Sequence, residues 1–415
     1  MKKLVALLLA LCMVACLFAA CGEAEPATEA PVDTEAPVDT EATVDTEATV
    51  ETEAPADYSA WHVAMITDYG DITDESFNQA TYEGCQTFCN TYGIDFKYYK
   101  PTGDSTAERV AAVDQAVAEG YNVLVCPGFA FAGTMVEAAP NYPDVMFIAL
   151  DVALGDLLEQ AVGEDYDYNP DNWNLADYVD LSNVYCAVYQ EEIAGYMAGY
   201  AAVKLGYTKL GFCGGMAVPA VQRYGYGFVQ GCNAAAEDPA AISIKYVYGN
   251  QFFGDPDITA YMDTWYADGT EIVFACGGGI YTSVAEAAAK VEGAKVIGVD
   301  VDQAPTIDAY GEGMTVTSAM KGLSATAIDT LTDIICNGNW AAYAGQISTL
   351  GLVSGDDPTL NYVQIPASTQ WADGFTEDDY IALVGELFNN PDMVSNDTTA
   401  EPEVDIAVDY QGNIK

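Results

Sequence analysis

Basic side chains are scarce in this chain. It has 13 lysines and arginines against 63 aspartates and glutamates, and a single histidine, His62, among 415 residues. No stripe of basic residues is present to contact phosphates, which argues against nucleic-acid binding, and an anionic membrane surface would repel the chain. The excess of acidic side chains is also typical of a protein that needs only to stay soluble.

Signatures of common catalytic and cofactor sites are also missing. A His-based triad would have to use His62, and a site with several His ligands is excluded. The chain contains no GxxxxGK[ST] phosphate loop, and its CGGG segment is not a GxGxxG turn. Residues 165–171 have Asp or Asn at alternate positions, as in a calcium loop, but Pro170 replaces the required Gly and no Glu completes the pattern. We therefore expect no metal and no cofactor.

The cysteines show no metal-binding or redox spacing. There is no CxxC pair, and Cys85 and Cys89 lie one helical turn apart while the others are scattered through apolar runs. Buried free thiols that act as small hydrophobic side chains are the expected state. An oxidising compartment leaves room for one or two disulfides, and the sequence does not identify the pairs.

The N-terminus has the features of a secretion signal. Lys2 and Lys3 precede an apolar run that ends in Phe-Ala-Ala before Cys21. A charged start, an apolar centre and small residues before the cut are typical of a signal peptide, here residues 1–20. The small residues before Cys21 resemble the bacterial lipobox, in which the Cys is acylated and anchors the protein to a membrane. The alternative is a secreted protein cut after Ala20.

An acidic repeat follows the anchor over residues 21–57. Units such as TEAPVD and TEATVD recur, with no basic residue and no aromatic before Tyr58. Such a stretch cannot bury enough apolar surface to offset the entropy lost on ordering. We expect a disordered tether that holds a globular part away from the membrane.

Beyond the tether, apolar strand-like runs alternate with helical patterns. The runs expected to be strands are WHVAMITD, DFKYYKP, YNVLVCPG, VMFIALD, VYCAVYQEE, KLGFCGG, SIKYVYG, EIVFACGGG and AKVIGVDVDQ. This alternation predicts right-handed β-α-β units in an α/β protein, with two doubly wound parallel-sheet lobes joined by crossover strands. An acidic stretch, residues 155–183, is expected to be a long loop.

The expected boundaries follow from this alternation. Residues 58–187 form lobe 1 and residues 188–303 form lobe 2. Residues 304–342 return to lobe 1, and residues 343–415 return to lobe 2 and include a C-terminal tail.

Chemically informative side chains cluster where the predicted strands end. Ligands of parallel sheets bind at the carboxyl ends of the strands, which here face the cleft between the lobes. The candidate ligand-binding residues are Asp68, Phe77, Asn78, Asp151, Tyr224, Gly278, Asp300 and Lys321. Some of them also have an ordinary explanation: Asp68 and Asp300 could cap loops or helices, Phe77 could belong to the core, and Lys321 could lie on the surface.

Several of these segments resemble one family. ITDYGDITDESFNQATYEG, YQEEIAGYMAGYAA, GFCGGMAVPAVQRYGYGFVQG, IVFACGGG, VIGVDVDQ and TSAMK are similar, in order and spacing, to the basic membrane protein / purine nucleoside receptor family of ABC-transporter substrate-binding lipoproteins. The resemblance implies a type I periplasmic-binding-protein fold that captures nucleosides for an ABC importer. It implies a membrane-anchored, extracytoplasmic location, permease and ATPase partners, and no enzymatic activity.

The resemblance also implies roles for the candidate residues. Asp68, Asn78 and Asp151 would lie near the base, and Phe77 and Tyr224 would stack on its two faces. A further set would surround the ribose: Gly278, Asp300 and Lys321.

Two other functions stay open. The chain could be a binding or sensing lipoprotein for another small ligand. Alternatively, paired carboxylates in the cleft could serve a glycoside or nucleoside hydrolase, which needs two acids beside the sugar bond.

Overall fold

The computed structural model of the chain describes residues 57–68 and 70–415. The predicted signal peptide, Cys21 and nearly all of the acidic tether therefore lie outside the described residues.

Thirteen strands and eleven α-helices are formed by the described residues. The strands are β1 His62–Ile66, β2 Asp95–Tyr99, β3 Val123–Pro127, β4 Met146–Leu150, β5 Val184–Tyr189, β6 Lys209–Gly214, β7 Ser243–Tyr248, β8 Ile272–Cys276, β9 Lys295–Asp300, β10 Thr315–Lys321, β11 Ile347–Leu350, β12 Val363–Gln364 and β13 Ala407–Asn413. The helices are α1 Phe77–Tyr92, α2 Thr106–Ala118, α3 Phe131–Ala138, α4 Leu154–Val162, α5 Glu191–Lys204, α6 Pro219–Ala235, α7 Pro256–Ala267, α8 Tyr281–Ala288, α9 Ala304–Ile307, α10 Leu323–Leu331 and α11 Glu377–Asn389.

Two separate sheets form the cores of two lobes. The first is parallel throughout and has the order β11-β5-β4-β3-β1-β2. The second has the order β12-β10-β9-β8-β6-β7-β13, and only the short edge strand β12 runs antiparallel. All nine strands expected from the apolar runs are present, which confirms the predicted doubly wound lobes.

Alternate residues of each strand enter different cores because helices cover both faces of the sheet. In β1, Val63 packs with Phe88 of α1, whereas the next residue, Ala64, packs with Phe131 of α3. β3 and β8 are buried along their whole length. Continuous apolar strands such as these are expected in a parallel sheet covered on both faces.

Three chain segments pass side by side between the lobes. The backbone N–H of Gln190, after β5, donates to the carbonyl of Leu350 at 2.9 Å. Gly322, after β10, donates to Tyr362 at 2.7 Å, and Tyr362 donates to Gly351 at 3.0 Å. This hydrogen-bonded group of crossings joins the two lobes.

The strand pairing corrects two expected boundaries. β10 lies within residues 304–342, expected in lobe 1, but it pairs with β9 in the second sheet before the chain crosses to α10. β11 lies within residues 343–415, expected in lobe 2, but it extends the first sheet beside β5. Both strands are placed by their pairing with neighbouring strands rather than by local sequence pattern.

The stretch expected to be a long loop, residues 155–183, begins as a helix. α4 buries Leu157 and Leu158, and the Asp156 carboxylate accepts a hydrogen bond from the Ala153 backbone at 2.8 Å, capping the first turn. Pairs of leucines on one face were a helical signal that the acidic composition obscured.

Candidate functional site

The carboxyl ends of both sheets surround one cavity, whose empty space is about 840 Å³ with the adjoining open solvent included. The structure brings all of the candidate ligand-binding residues to its wall: Asp68, Phe77, Asn78, Asp151, Tyr224, Gly278, Asp300 and Lys321.

Asp151 and Asp300 occupy matching places in the two lobes. Asp151 follows β4 and Asp300 ends β9, and both have left-handed backbones, with φ of 60° and 64°. This conformation is uncommon for residues other than glycine, and it persists where the surrounding structure determines it, often at binding sites. Each carboxylate is thereby turned from its strand end toward the cleft.

Lys321 lies at the centre of the site. Its ammonium donates to Asp151 Oδ2 at 2.6 Å and to Glu191 Oε1 at 3.2 Å. It also lies 4.9 Å from the ring centroid of Phe77 and 5.6 Å from that of Tyr224. Burial lowers the pKa of Lys321, but the carboxylates of Asp151 and Glu191 outweigh burial and raise it, so the lysine stays charged.

Glu191 links this lysine to a second cation. Arg223 Nε donates to Glu191 Oε2 at 2.7 Å, and the Glu191 side chain is completely buried. Burial raises the pKa of Glu191, yet the charges of Arg223 and Lys321 prevail and lower it. Glu191 is therefore an ionised carboxylate shared by the buried Lys321 and the partly buried Arg223.

Glycines on two helices bring these charges together. A Cβ added to Gly195 of α5 would lie 2.1 Å from the carbonyl oxygen of Tyr224 in α6. A Cβ added to Gly227 of α6 would lie 2.0 Å from the carbonyl oxygen of Glu192 in α5. The helices thus approach backbone to backbone, which only glycine permits. Their first turns, carrying Glu191 and Arg223, meet as a result.

Asp300 joins the two lobes across the cleft. Its Oδ2 accepts a 2.6 Å hydrogen bond from Ser76 Oγ of the first lobe, and its Oδ1 accepts from the Tyr224 hydroxyl at 3.3 Å. Burial raises the pKa of Asp300, and the charge of Lys321 opposes the rise.

A group of polar side chains surrounds the start of α1. Asp74 Oδ2 accepts from the Asn78 backbone at 2.9 Å, and Asp74 Oδ1 accepts from the Ser76 and Gln79 backbones, both at 3.0 Å. These bonds satisfy the open N–H groups of the helix start. Asn78 Nδ2 donates to Asp68 Oδ1 at 3.0 Å and to Asp74 Oδ2 at 3.2 Å. Burial raises the pKa of Asp74 to about 6, against the opposing effect of its hydrogen bonds.

The residues that the structure describes contain neither a metal-binding cluster nor a membrane-spanning helix. Among residues 57–68 and 70–415, no group of three or more His, Cys, Asp or Glu side chains is arranged to hold a metal ion. Asp167, weighed above as a calcium ligand, accepts hydrogen bonds from Trp173 and Asn172. No helix in the described part of the chain is long and apolar enough to span a bilayer. The eight cysteines of that part are free thiols, seven of them buried, as expected.

Comparison with known proteins assigns a family. The family model described as ABC transporter substrate-binding protein, PnrA-like, named Bmp, matches residues 61–355. The chain belongs to this family. The resemblance noted in the sequence is confirmed.

Individual relatives are distant. The ABC transporter nucleoside-binding protein BmpA of Lactococcus lactis is 27% identical over 252 residues, covering 58% of this chain and 64% of that protein. Basic membrane protein B of Borreliella afzelii is 25% identical over 246 residues, covering 58% of this chain and 65% of that protein. The matched part of this chain thus spans somewhat less than two thirds of each of these relatives.

A solved structure confirms the fold. The ABC transporter solute-binding protein from Aeropyrum pernix K1 superposes with a TM-score of 0.58 at 20% identity, covering 81% of this chain and 88% of that chain. The predicted periplasmic-binding-protein architecture is therefore present in this member of the PnrA-like family.

Sequence reasoning missed several residues of the site in this PnrA-like protein. Glu191, Ser76 and Asp74 bond directly to candidate residues, and Arg223 bonds to Glu191 and lines the cavity. The available signals were the charged residues that begin EEIAGYMAGY and the Arg that precedes Tyr224. Neither signal locates a partner, because the pairing depends on how α5 and α6 pack.

Phe252 is another residue of the cavity wall that sequence reasoning missed, and it explains why glycines occur beside it. A Cβ on Gly215 would lie 2.5 Å from the Phe252 ring. A Cβ on Gly278 would lie 2.9 Å from the Phe252 carbonyl oxygen, and one on Gly214 would lie 2.7 Å from the Tyr248 ring. The glycines thus accommodate protein atoms, and Phe252 itself lines the cavity.

Proposed function

We propose that this chain is the substrate-binding component of an ABC importer and that it captures nucleosides, purine nucleosides in particular, between its lobes. One observation carries the proposal: every residue expected to contact a nucleoside lines one cavity at the carboxyl ends of both sheets. The name of the L. lactis relative, a nucleoside-binding protein, supports the ligand class. No turnover is expected, because the family is one of substrate-binding proteins.

The proposed pose places a purine ring between Phe77 and Tyr224. Both rings already lie within 5.6 Å of the Lys321 ammonium, one in each lobe, so closing the lobes would narrow the space between them. Stacking on aromatic side chains is worth about 1 to 3 kcal/mol per base. Asp68, Asn78 and Asp151 would lie near the base.

The ribose end would meet Gly278, Asp300 and Lys321. Carboxylates accept hydrogen bonds from sugar hydroxyls, and an ammonium group donates to sugar oxygens. In the proposed complex the ribose hydroxyls compete with Ser76 for Asp300, whose carboxylate already joins the lobes. Ligand binding and the contact between the lobes would then both depend on the Asp300 carboxylate.

The membrane anchor is part of the same proposal. An acylated Cys21 would hold the protein at the extracytoplasmic face of the cell membrane, and the acidic repeat would present the lobes to a permease and its ATPase. Cys21→Ala should release the protein or block its processing. Normal processing with unchanged partitioning into detergent would rule this anchor out.

A ligand panel tests the binding proposal. Purified full-length protein is titrated with purine and pyrimidine nucleosides, free bases and sugars, and thermal stability is measured for each. A ligand that binds only the folded state raises the midpoint by mass action. Stabilisation by nucleosides with no product formed supports the proposal. Release of free base would favour a hydrolase, and stabilisation only by another ligand would favour a different binding protein.

A further inference from the structure

The distal segment of the chain, residues 356–415, lies beyond the part that the family model matches, 61–355. It nevertheless contributes to the second lobe, because its strand β13 pairs in parallel with β7 and extends that sheet. Tyr410 of β13 lies opposite Tyr246 of β7, and their ring centroids are 5.0 Å apart. One edge strand of the second sheet is thus supplied from outside the family match.

The end of this segment reaches the loop that connects β7 to α7, residues 249–255. The Ile414 backbone donates to the last carbonyl of β7 at 2.8 Å and carries the chain past the carboxyl end of that strand. The Lys415 ammonium then donates to Gln251 Oε1 at 3.2 Å and to Asp255 Oδ2. Lys415 therefore contacts the loop both in its first half and at its last residue.

The same loop forms part of the cavity wall. Phe252 lines the cavity, and its carbonyl oxygen accepts a hydrogen bond from the Gly279 backbone at 2.9 Å. Gly278 also lines the cavity, and a Cβ added to it would lie 2.9 Å from the same carbonyl oxygen. The position of loop 249–255 therefore determines how the Phe252 ring and the Gly278 backbone face the cavity.

Asp255 uses its two carboxylate oxygens for different contacts. Oδ1 accepts from the backbones of Asp257 and Ile258, both at 2.9 Å, and caps the start of α7. Oδ2 accepts from Gln251 Nε2 at 2.9 Å and from Lys415. Removal of the Lys415 charge would therefore loosen the loop and leave the helix cap in place.

We infer that Lys415 is a positioning residue for ligand binding, because it holds loop 249–255 where Phe252 forms the cavity wall. For its ligand, this inference rests on the proposed function. The ion pair between Lys415 and Asp255 is partly exposed, so its loss should change the stability of the whole protein little. It should instead lower the fraction of molecules whose loop is in the binding position, and the apparent affinity should fall by the same factor.

Isothermal titration of the full-length protein with adenosine and with guanosine tests this role. Lys415→Gln should weaken binding about threefold to fivefold, the effect of losing a partly exposed ion pair, with an unchanged thermal midpoint. Lys415→Arg should restore the affinity, because it restores the charge. Lys290→Gln is the matched control, since it removes an ion pair with Asp263 in the same lobe, and it should leave the affinity unchanged. Wild-type affinity in Lys415→Gln would overturn the inference.

A double-mutant comparison shows whether Lys415 acts through Phe252. In a Phe252→Ala background the loop no longer presents this ring, so Lys415→Gln should cause little further loss of affinity. The same loss of about threefold to fivefold in both backgrounds would contradict the inference.

Hydrogen exchange gives a readout that needs no ligand. The backbone N–H of Asn250 donates to the Gly215 carbonyl at 2.9 Å, and N–H groups of loop 249–255 such as this one should exchange faster in ligand-free Lys415→Gln than in wild type. Unchanged exchange throughout the loop would overturn the inference. Failure of the wild-type protein to bind any nucleoside would instead overturn the proposed function, and the exchange rates would still decide whether Lys415 holds the loop.

Discussion

The Ser76 hydroxyl donates a 2.6 Å hydrogen bond to the Asp300 carboxylate, although 224 residues separate the two in sequence. Ser76 precedes α1 in the first lobe, and Asp300 ends β9 in the second. A second bond in the same region runs from Gln303 Nε2 to the Glu75 carbonyl at 2.9 Å. The lobes are therefore in direct polar contact beside the cavity.

Removal of the Ser76 hydroxyl should loosen this contact. Ser76→Ala leaves the Asp300 carboxylate with one fewer donor, and a hydrogen bond to a charged group contributes about 1.5 to 3 kcal/mol. We expect a larger radius of gyration for the ligand-free protein in small-angle X-ray scattering. Ser59→Ala, at an exposed serine, is the control. Identical scattering for wild type and Ser76→Ala would show that the bond does not hold the lobes together.

The stacking role of Phe77 has a matched test. Phe77→Ala should weaken nucleoside binding by about 1 to 3 kcal/mol, the scale of base–aromatic stacking. Phe253→Ala is the control, since this phenylalanine is 61% exposed. Isothermal titration gives both affinities. Undiminished nucleoside affinity in Phe77→Ala would assign Phe77 to the core alone.

Neutralising Glu191 should destabilise the protein. Glu191→Gln keeps the shape of the side chain but leaves Lys321 and Arg223 with less compensation, and breaking a buried ion pair costs about 3 to 5 kcal/mol. Urea denaturation measures the loss. Glu237→Gln removes an ion pair with Lys204 in which the Glu side chain is 94% exposed, and it should cost less than about 1 kcal/mol. If Glu191→Gln lowers the free energy of unfolding as little as Glu237→Gln does, then the Glu191 charge does not stabilise Lys321 and Arg223.

Stability should rise as the pH falls from 8 to about 5.5. Burial raises the pKa of Asp74 to about 6 and those of Asp151 and Glu192 to about 7. Such groups bind protons more readily in the folded protein than in the unfolded chain, where the ordinary values are 3.8 for Asp and 4.5 for Glu. For each of these groups, lowering the pH from above the folded-state pKa toward the unfolded-state pKa therefore stabilises the folded protein.

Glu192→Gln tests the origin of this pH dependence. Glu192 is 3% exposed and its Oε2 has no partner, so its charge is destabilising at pH 8. The variant should have a higher thermal midpoint than wild type at pH 8 and a similar one at pH 5.5. A midpoint difference that is the same at both pH values would show that Glu192 does not titrate in this range.

Much of the fold and the site wall could be predicted because both follow from local patterns. Apolar strands alternating with helices predict two parallel-sheet lobes, and residues that end strands, such as Asp151 and Asp300, then face the cleft. The hydrogen-bond partners could not be predicted. The Lys321 ammonium donates hydrogen bonds to Asp151 and Glu191, and no local pattern indicates either partner. Which carboxylates Lys321 contacts depends on the close packing of α5 and α6, which involves residues distant in sequence.

The sheet assignment of β10 and β11, and the loop that carries Phe252, could not be predicted for a related reason. β10 and β11 are assigned to sheets by pairing with β9 and β5, which no local pattern encodes. Phe252 lies in the segment NQFFGD beside an exposed phenylalanine, and only the folded loop shows which of the two rings faces the cavity.

Isothermal titration of the full-length protein with adenosine or guanosine and with the corresponding free bases is the most direct test of nucleoside capture. A site in which Asp300 and Lys321 hydrogen bond to the ribose should bind the nucleoside far more tightly than the base, because the base lacks the hydroxyls that make those bonds. We expect saturable one-to-one binding of the nucleoside without turnover, and a smaller preference over the base in Asp300→Ala. Equal affinity of the wild-type protein for nucleoside and free base, or no binding of either, would contradict the proposed function.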